Sequence, residues 1–357
     1  MKQSERVTFA AWMLLFAVSM AGMLFLAANK TIVIAEASQE QDTVPLNTAS
    51  PDREIRDSKL LLDKTYGVQG SFHIPLPKGI RAEHVTMENR YMDRELRLFV
   101  QGADDVFYTE NAISGDFSPV LSGQSEVQED GILLKFSMDR VYEYRSTLNG
   151  STLTIEWYRP EELFEFVVVL DPAGSEEQDV AQDVPDAELT MQIARRVQRK
   201  FALPDVRLYC TRTESGSVTA GDRASLAEDV GAALFIRLSV SRSEEDADIY
   251  GVTGIYEDEF FIPDFGSPEL ADLLTREVTI AASNRALGLT TATEDSILKQ
   301  LTIPAAEISV GWLSNPQEAY LLQEEAYQEK LADGILAAIG EAVEELKQLK
   351  NGAEGET

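Results

Sequence analysis

From residue 165 the chain alternates strand-like and helix-like segments, and this alternation constrains its fold more than any other feature. The apolar run FVVVL (166–170) precedes AELTMQIARRVQRKF, in which Leu189, Ile193, Val197 and Phe201 recur at four-residue spacing and mark one face of a helix. VRLYCT, the helix-like DRASLAEDVG and the strand-like ALFIRLSV follow. A helix around 267–286, a strand near 305–311 and a terminal helix from about 326 to 349 complete the pattern. Parallel strands need long crossovers, and helices are the usual ones. The segment is therefore expected to be α/β, with a mostly parallel sheet covered by helices on both faces.

Residues 58–160 read differently. GVQGSFHIPL, AEHVTMEN, RELRLFVQG, GILLKFSMD and TLTIEWY are short alternating runs separated by turn residues. That spacing predicts a small all-β sandwich. Residues 36–57 are polar, carry two prolines and have no periodicity, so they read as a linker, and 350–357 read as a frayed tail. Val7–Ala28 carries no charge and is long enough to cross a bilayer core as a helix. Lys2 and Arg6 precede it, which assigns residues 1–35 to a cytoplasmic stub and an anchor and places the remaining domains outside the cell membrane. A cleaved signal peptide is the rival reading, because Ala35-Glu36-Ala37 offers small residues for cleavage.

The net charge of −30 argues against nucleic acid and anionic membrane surfaces as partners, because binding there needs clustered Lys and Arg. The single cysteine, Cys210, excludes an intramolecular disulfide and reads as a small buried residue. The two histidines, His73 and His84, both fall in the β-rich segment.

The order of landmarks in 165–345 resembles the zinc-dependent N-acetylmuramoyl-L-alanine amidases of the Amidase_3 type. VVVLDP stands where that family's first strand continues into Gly-His-Gly-Gly. Thr211-Arg212, Asp222-Arg223-Ala224, Ala233-Leu234-Phe235-Ile236, Asn284-Arg285, Pro304-Ala305 and Gly311-Trp312-Leu313-Ser314-Asn315-Pro316 follow in the family's order, as does Tyr327-Gln328-Glu329-Lys330. The β-rich segment, with RELRLFV and STLTIEWY as strands, loosely resembles the AMIN modules found beside such enzymes. The resemblance implies peptidoglycan as substrate or ligand, and zinc held by His, Glu and His with a second Glu at the bound water.

Carried over position by position, that site is depleted. Gly174 stands at the first histidine, Asp186 at the ligating Glu, Ser239 at the second histidine and Ser309 at the catalytic Glu. Hydroxyls are poor ligands for zinc, and no histidine lies within this half of the chain. Glu307 lies two residues before Ser309, so period two places both on one face of a strand and makes Glu307 a possible substitute. Glu176, Glu177, Asp179 and Asp183, with Asp171 and Asp186, could offer oxygen ligands to a hard cation or form a solvated acidic loop. A serine nucleophile at 239 or 309 lacks a histidine base, and the position of Lys299 does not qualify it as one. Trp157 and Trp312 read as core or groove aromatics.

The expectation is a membrane-anchored envelope protein whose amidase-like domain has lost zinc and catalysis. It would bind peptidoglycan or an envelope protein, and so take part in wall recognition or in regulating wall hydrolysis. The alternative is an active amidase with an unconventional metal site built from Asp186, Glu307 and the acidic loop.

Overall fold

The computed structural model describes residues 58–63, 70–174, 185–212 and 218–355. The apolar run Val7–Ala28, the linker and most of the acidic loop lie outside them. Among the described residues, no helix is long and apolar enough to cross a membrane. The chain divides into two compact units.

The first unit is mostly β, with one short α-helix at Asp105–Glu110. Its strands are β1 (Ser58–Lys59), β2 (Leu62–Asp63), β3 (Ser71–Pro75), β4 (Val85–Arg90), β5 (Glu95–Gln101), β6 (Ile113–Gly115), β7 (Val120–Gln128), β8 (Gly131–Met138), β9 (Glu143–Asn149) and β10 (Thr152–Tyr158). They form two five-stranded sheets in the orders β1-β7-β8-β5-β4 and β2-β6-β3-β10-β9. Burial alternates along β5 and along the second half of β8, as period two requires of strands with one face inward, while Gly131–Leu134 of β8 are all buried. Phe72 of β3 meets Phe136 of β8 with ring centroids 5.1 Å apart, so side chains of the two sheets share one core. His73 bonds Thr154 Oγ1 from its Nδ1 at 2.9 Å, and His84 Nδ1 accepts from the Arg81 N–H at 3.0 Å. Both imidazoles thus serve this unit's own framework. Trp157 stacks on Phe72, in keeping with a core aromatic.

The second unit comprises Tyr158–Thr357 together with the short segments Arg90–Glu95 and Met138–Glu143. Its strands are β11 (Phe166–Pro172), β12 (Val206–Cys210), β13 (Leu234–Ser241), β14 (Val252–Tyr256), β15 (Ala286–Thr291) and β16 (Ala305–Trp312). Its main helices are α1 (Pro185–Lys200), α2 (Ala220–Asp229), α3 (Ser267–Ala282), α4 (Pro316–Gln323) and α5 (Glu325–Gly355). The six strands lie in the order β12-β11-β13-β16-β14-β15. Every pairing is parallel except β14 with β16.

β11 is buried along its whole length, because the alternate sides of one apolar run feed two cores. Phe166, Val168 and Leu170 join Leu189, Ile193 and Val197 of α1 and the inner faces of α3 and α5. Val167 and Val169 point the other way, to Leu226 and Ala227 of α2, Ile297 and Leu298, and Tyr91 and Val141 from the two short segments. Each fully buried aliphatic side chain contributes about 1.5–3 kcal/mol, so the four-residue stripe of α1 suffices to dock it. Phe201 closes that stripe, half-buried against the same core.

Three features correct the sequence-based expectation. β14 and β15 are additional strands, and α3 ends at Ala282, several residues before the 286 that periodicity suggests. Residues 350–355 continue α5 instead of fraying.

Candidate functional site

The parallel strands β11, β13 and β16 carry their polar residues at one depth. In register, Asp171 faces Arg237, Arg237 faces Glu307, and Ser239 faces Ser309. Sequence positions singled out above thus lie side by side across three adjacent strands, at the end of β11 and within β13 and β16.

Asp171 is fully buried. Its carboxylate accepts from Thr211 Oγ1 at 2.5 Å, from Arg237 Nη1 at 2.6 Å and from Arg223 Nη1. Arg223, the arginine of α2, is itself fully buried. Arg237 also lies 3.5 Å from a Glu307 oxygen through its Nε. Two guanidinium groups and two carboxylates therefore balance to zero formal charge in a region shielded from water, the condition under which buried charges are tolerated. Arg212 sits beside them with its Nε on the Pro172 carbonyl at 2.9 Å. Its Nη2 bonds the carbonyls of Ala173 and Ala187 at 2.8 and 3.0 Å, pinning the end of β11 to the first turn of α1. Burial lowers the Arg212 pKa to about 10, helped by the like charge of Arg223, so the group stays cationic at neutral pH.

Each position the resemblance assigns to zinc chemistry has a definite state. Gly174 adopts φ +102°, and a Cβ built there would lie 2.8 Å from both Cα and N of Ala187. No side chain fits that backbone without displacing α1, histidine included. Asp186, in the first turn of α1, is held as a fork by Arg242, with Nη2–Oδ1 at 2.6 Å and Nε–Oδ2 at 3.0 Å. That same bond holds the Arg242 pKa above its usual range. Ser239 Oγ donates to Glu307 Oε1 at 2.6 Å. Ser309, fully buried, shares a hydrogen bond with Ser241 Oγ at 2.6 Å.

Glu307 thus lies within hydrogen-bond reach of Ser239, from which it accepts, and it faces a guanidinium. Among the described residues no group of three or more His, Cys, Asp or Glu could hold a metal ion. The donor set fits zinc poorly on chemical grounds too. Two hydroxyls are weak ligands, and both carboxylates, Asp186 and Glu307, are engaged by the guanidinium groups of Arg242 and Arg237. Glu176, Glu177, Asp179 and Asp183 of the acidic loop lie outside the described residues.

Several other candidates resolve into structural roles. Lys299 bonds Asp258 at 2.9 Å and Glu259 at 3.0 Å through its Nζ. Cys210 is buried, which pushes its thiol well above the ordinary range. The Tyr91 hydroxyl donates to the Cys210 carbonyl at 2.8 Å and accepts from its N–H at 3.2 Å, sealing the edge strand β12. Trp312 is half-buried at the end of β16, beside the Glu318 carboxylate that accepts from its backbone N–H.

Sequence reasoning missed the arginines. The signal was present: Asp171, Arg237 and Glu307 are single charges inside the apolar runs VVVLDP, FIRLSV and AAEISV. A charge in a buried strand needs a partner, and three such strands can supply one another.

Residues 168–341 match the Amidase_3 model of N-acetylmuramoyl-L-alanine amidases. The N-acetylmuramoyl-L-alanine amidase CwlM of Mycobacterium tuberculosis is 26% identical over 183 residues, 48% of this chain and 44% of that protein. The chain thus spans less than half the length of that relative. The catalytic domain of CwlV from Bacillus (Paenibacillus) polymyxa var. colistinus is 22% identical, with a TM-score of 0.45 over 50% of this chain and 98% of that one. An amidase from Clostridium difficile 630 is also 22% identical, with a TM-score of 0.45 over 50% of this chain and 97% of that one. Residues 168–341 therefore form a domain of the N-acetylmuramoyl-L-alanine amidase family.

Proposed function

We propose that this amidase-type domain is catalytically silent and serves the cell envelope as a recognition or regulatory module. It binds peptidoglycan, or it binds an envelope protein and so regulates wall hydrolysis. One observation carries this reading: each position that the resemblance assigns to zinc ligation is either without space for a side chain, as at Gly174, or already bonded to a neighbour, as at Asp186 and Ser239, and the position of the catalytic Glu is taken by Ser309, which is bonded to Ser241. A fold retains its surface when its chemistry is gone, because the packing of β11, β13 and β16 does not depend on the metal. On the same reading the apolar run Val7–Ala28 anchors the chain in the membrane, and the β-rich unit is an AMIN-like companion module outside it.

The test uses the full-length protein in detergent. Bound zinc is measured by elemental analysis, and released peptide and co-sedimentation are measured on purified peptidoglycan. The expected outcome is no stoichiometric zinc, no release, and sedimentation with the wall material. Stoichiometric zinc together with peptide release would establish the rival reading, an active amidase using Asp186, Glu307 and the acidic loop. If the protein neither cleaves nor sediments, wall binding is refuted and only the protein-binding form of the proposal remains. Crosslinking to an amidase then decides it.

A further inference from the structure

The two edges of the six-stranded sheet are treated differently. At β12 the Tyr91 hydroxyl occupies both the N–H and the carbonyl of Cys210. At β15 no other described strand pairs beyond the ladder with β14. All of β15 except Leu287 is exposed, Leu289 at 41%. A register shift sets Leu287 out of the ladder and leaves Gly288–Thr291 as a regular edge paired with Thr253–Tyr256. Residues 286–293, ALGLTTAT, contain no charge and no proline, in a chain of which 26% is charged. Edge strands are normally blunted by lysine, proline or a cover, and this one has only the bulge at its start.

We propose that Gly288–Thr291 is a docking edge for an extended, lysine- or arginine-bearing segment of a protein partner, added as a further strand. Charge decides the occupant. The loop entering β14 carries the exposed Glu244, Glu245, Asp246 and Asp248, and the loop leaving β15 carries the exposed Glu294 and Asp295. Arg285, beside the edge, lies over the Tyr250 ring at 5.7 Å, and Arg242 of the loop entering β14 is held by Asp186. Six acidic groups against two basic groups leave a charge of 2 − 6 = −4 on these loop residues, within a chain of net charge −30. A second copy of this chain would bring like charges together. A basic strand gains main-chain hydrogen bonds and electrostatic attraction at once. This proposal is independent of the silent-amidase reading, because the edge is built without any residue of the site.

The probe is a fluorescent peptide of about six alternating Lys and Val residues, close to the usual strand length. It is titrated into the full-length protein in about 0.15 M salt, where distant charge effects are screened. The proposal expects saturable binding and slowed amide hydrogen exchange at 288–291. Binding is expected to be lost when alternate peptide nitrogens on either edge are methylated, because methylation removes donors without altering charge. Thr290→Lys, at an exposed position, is expected to weaken binding at least about tenfold through like-charge repulsion. Thr291→Lys serves as the second variant should the first unfold. Three results would overturn the proposal: no binding, binding indifferent to methylation or to both lysine variants, or exchange protection that arises from self-association measured by sedimentation.

Discussion

Replacing Gly174 by alanine probes the geometry on which the proposed absence of a zinc ligand at that position rests. The backbone there has φ +102°, a conformation that costs an L-residue about 1–2 kcal/mol. The new Cβ would also sit 2.8 Å from Cα and N of Ala187, backbone atoms of α1 that yield only if the helix shifts. Overpacking of this kind costs about 1–3 kcal/mol, so the expected destabilisation totals about 2–5 kcal/mol. Gly231→Ala separates the two contributions. Gly231 has φ +61°, yet its Cβ would meet only the far end of the Glu161 side chain at 4.0 Å, so it carries the conformational cost without the collision. Scanning calorimetry on both variants, with each transition resolved, is the assay. For a unit of this size, 2–5 kcal/mol corresponds to a fall of roughly 4–20 °C in the midpoint of the second unit. If Gly174→Ala proves no more costly than Gly231→Ala, the close approach of α1 is wrong. Histidine at 174 would then not be sterically excluded, and the argument against a zinc ligand there would fail.

Asp171→Ala leaves Arg223 and Arg237 without their shared carboxylate, and breaking a buried pair from one side costs about 3–5 kcal/mol, measurable as a lower denaturant midpoint. Arg242→Ala removes an ion pair whose side chains are 48% and 33% exposed, so the same measurement should move by less than about 1 kcal/mol. Cys210 is fully buried, and burial raises its pKa, which keeps the thiol protonated and shielded at mildly alkaline pH. Iodoacetamide should leave the native protein unmodified at pH 8 and label one site per chain in denaturant, as read by mass spectrometry.

The strands that frame the site were legible because they are continuous apolar runs buried on both faces, as in β11, β13 and β16. The strands that escaped notice lack that signature. β15 is exposed and does not alternate, and β14 is only five residues long with Gly254 at its centre. Glycine is required there because a Cβ would lie 2.3 Å from Thr275 Oγ1 and 2.8 Å from the Ala271 carbonyl, so α3 crosses at backbone contact. Such close approach is a fact of packing and leaves no periodic trace. The segments Arg90–Glu95 and Met138–Glu143 read as turns between strands, yet Tyr91 and Val141 pack into a core of the second unit. At the site, residue types and chain positions were readable, but the pairing of Asp171 with Arg237 and of Arg237 with Glu307 depends on strand register. Register is set by the whole sheet and not by any one strand.

That register also sets what a histidine introduced at 239 would meet. A histidine at 239 would remove the hydroxyl that donates to Glu307, leaving that carboxylate with Arg237 on one side and a new imidazole on the other. A dication arriving there would face Arg237, and each unit of positive charge within about 4 Å of a guanidinium costs about 4 kcal/mol at an effective dielectric of 20. Removing Arg237 to relieve that repulsion would take one guanidinium contact from Asp171, which keeps Arg223 and Thr211, and one from Glu307. Any such change therefore disturbs a set of ion pairs in which Arg223 and Arg237 balance Asp171 and Glu307 in formal charge.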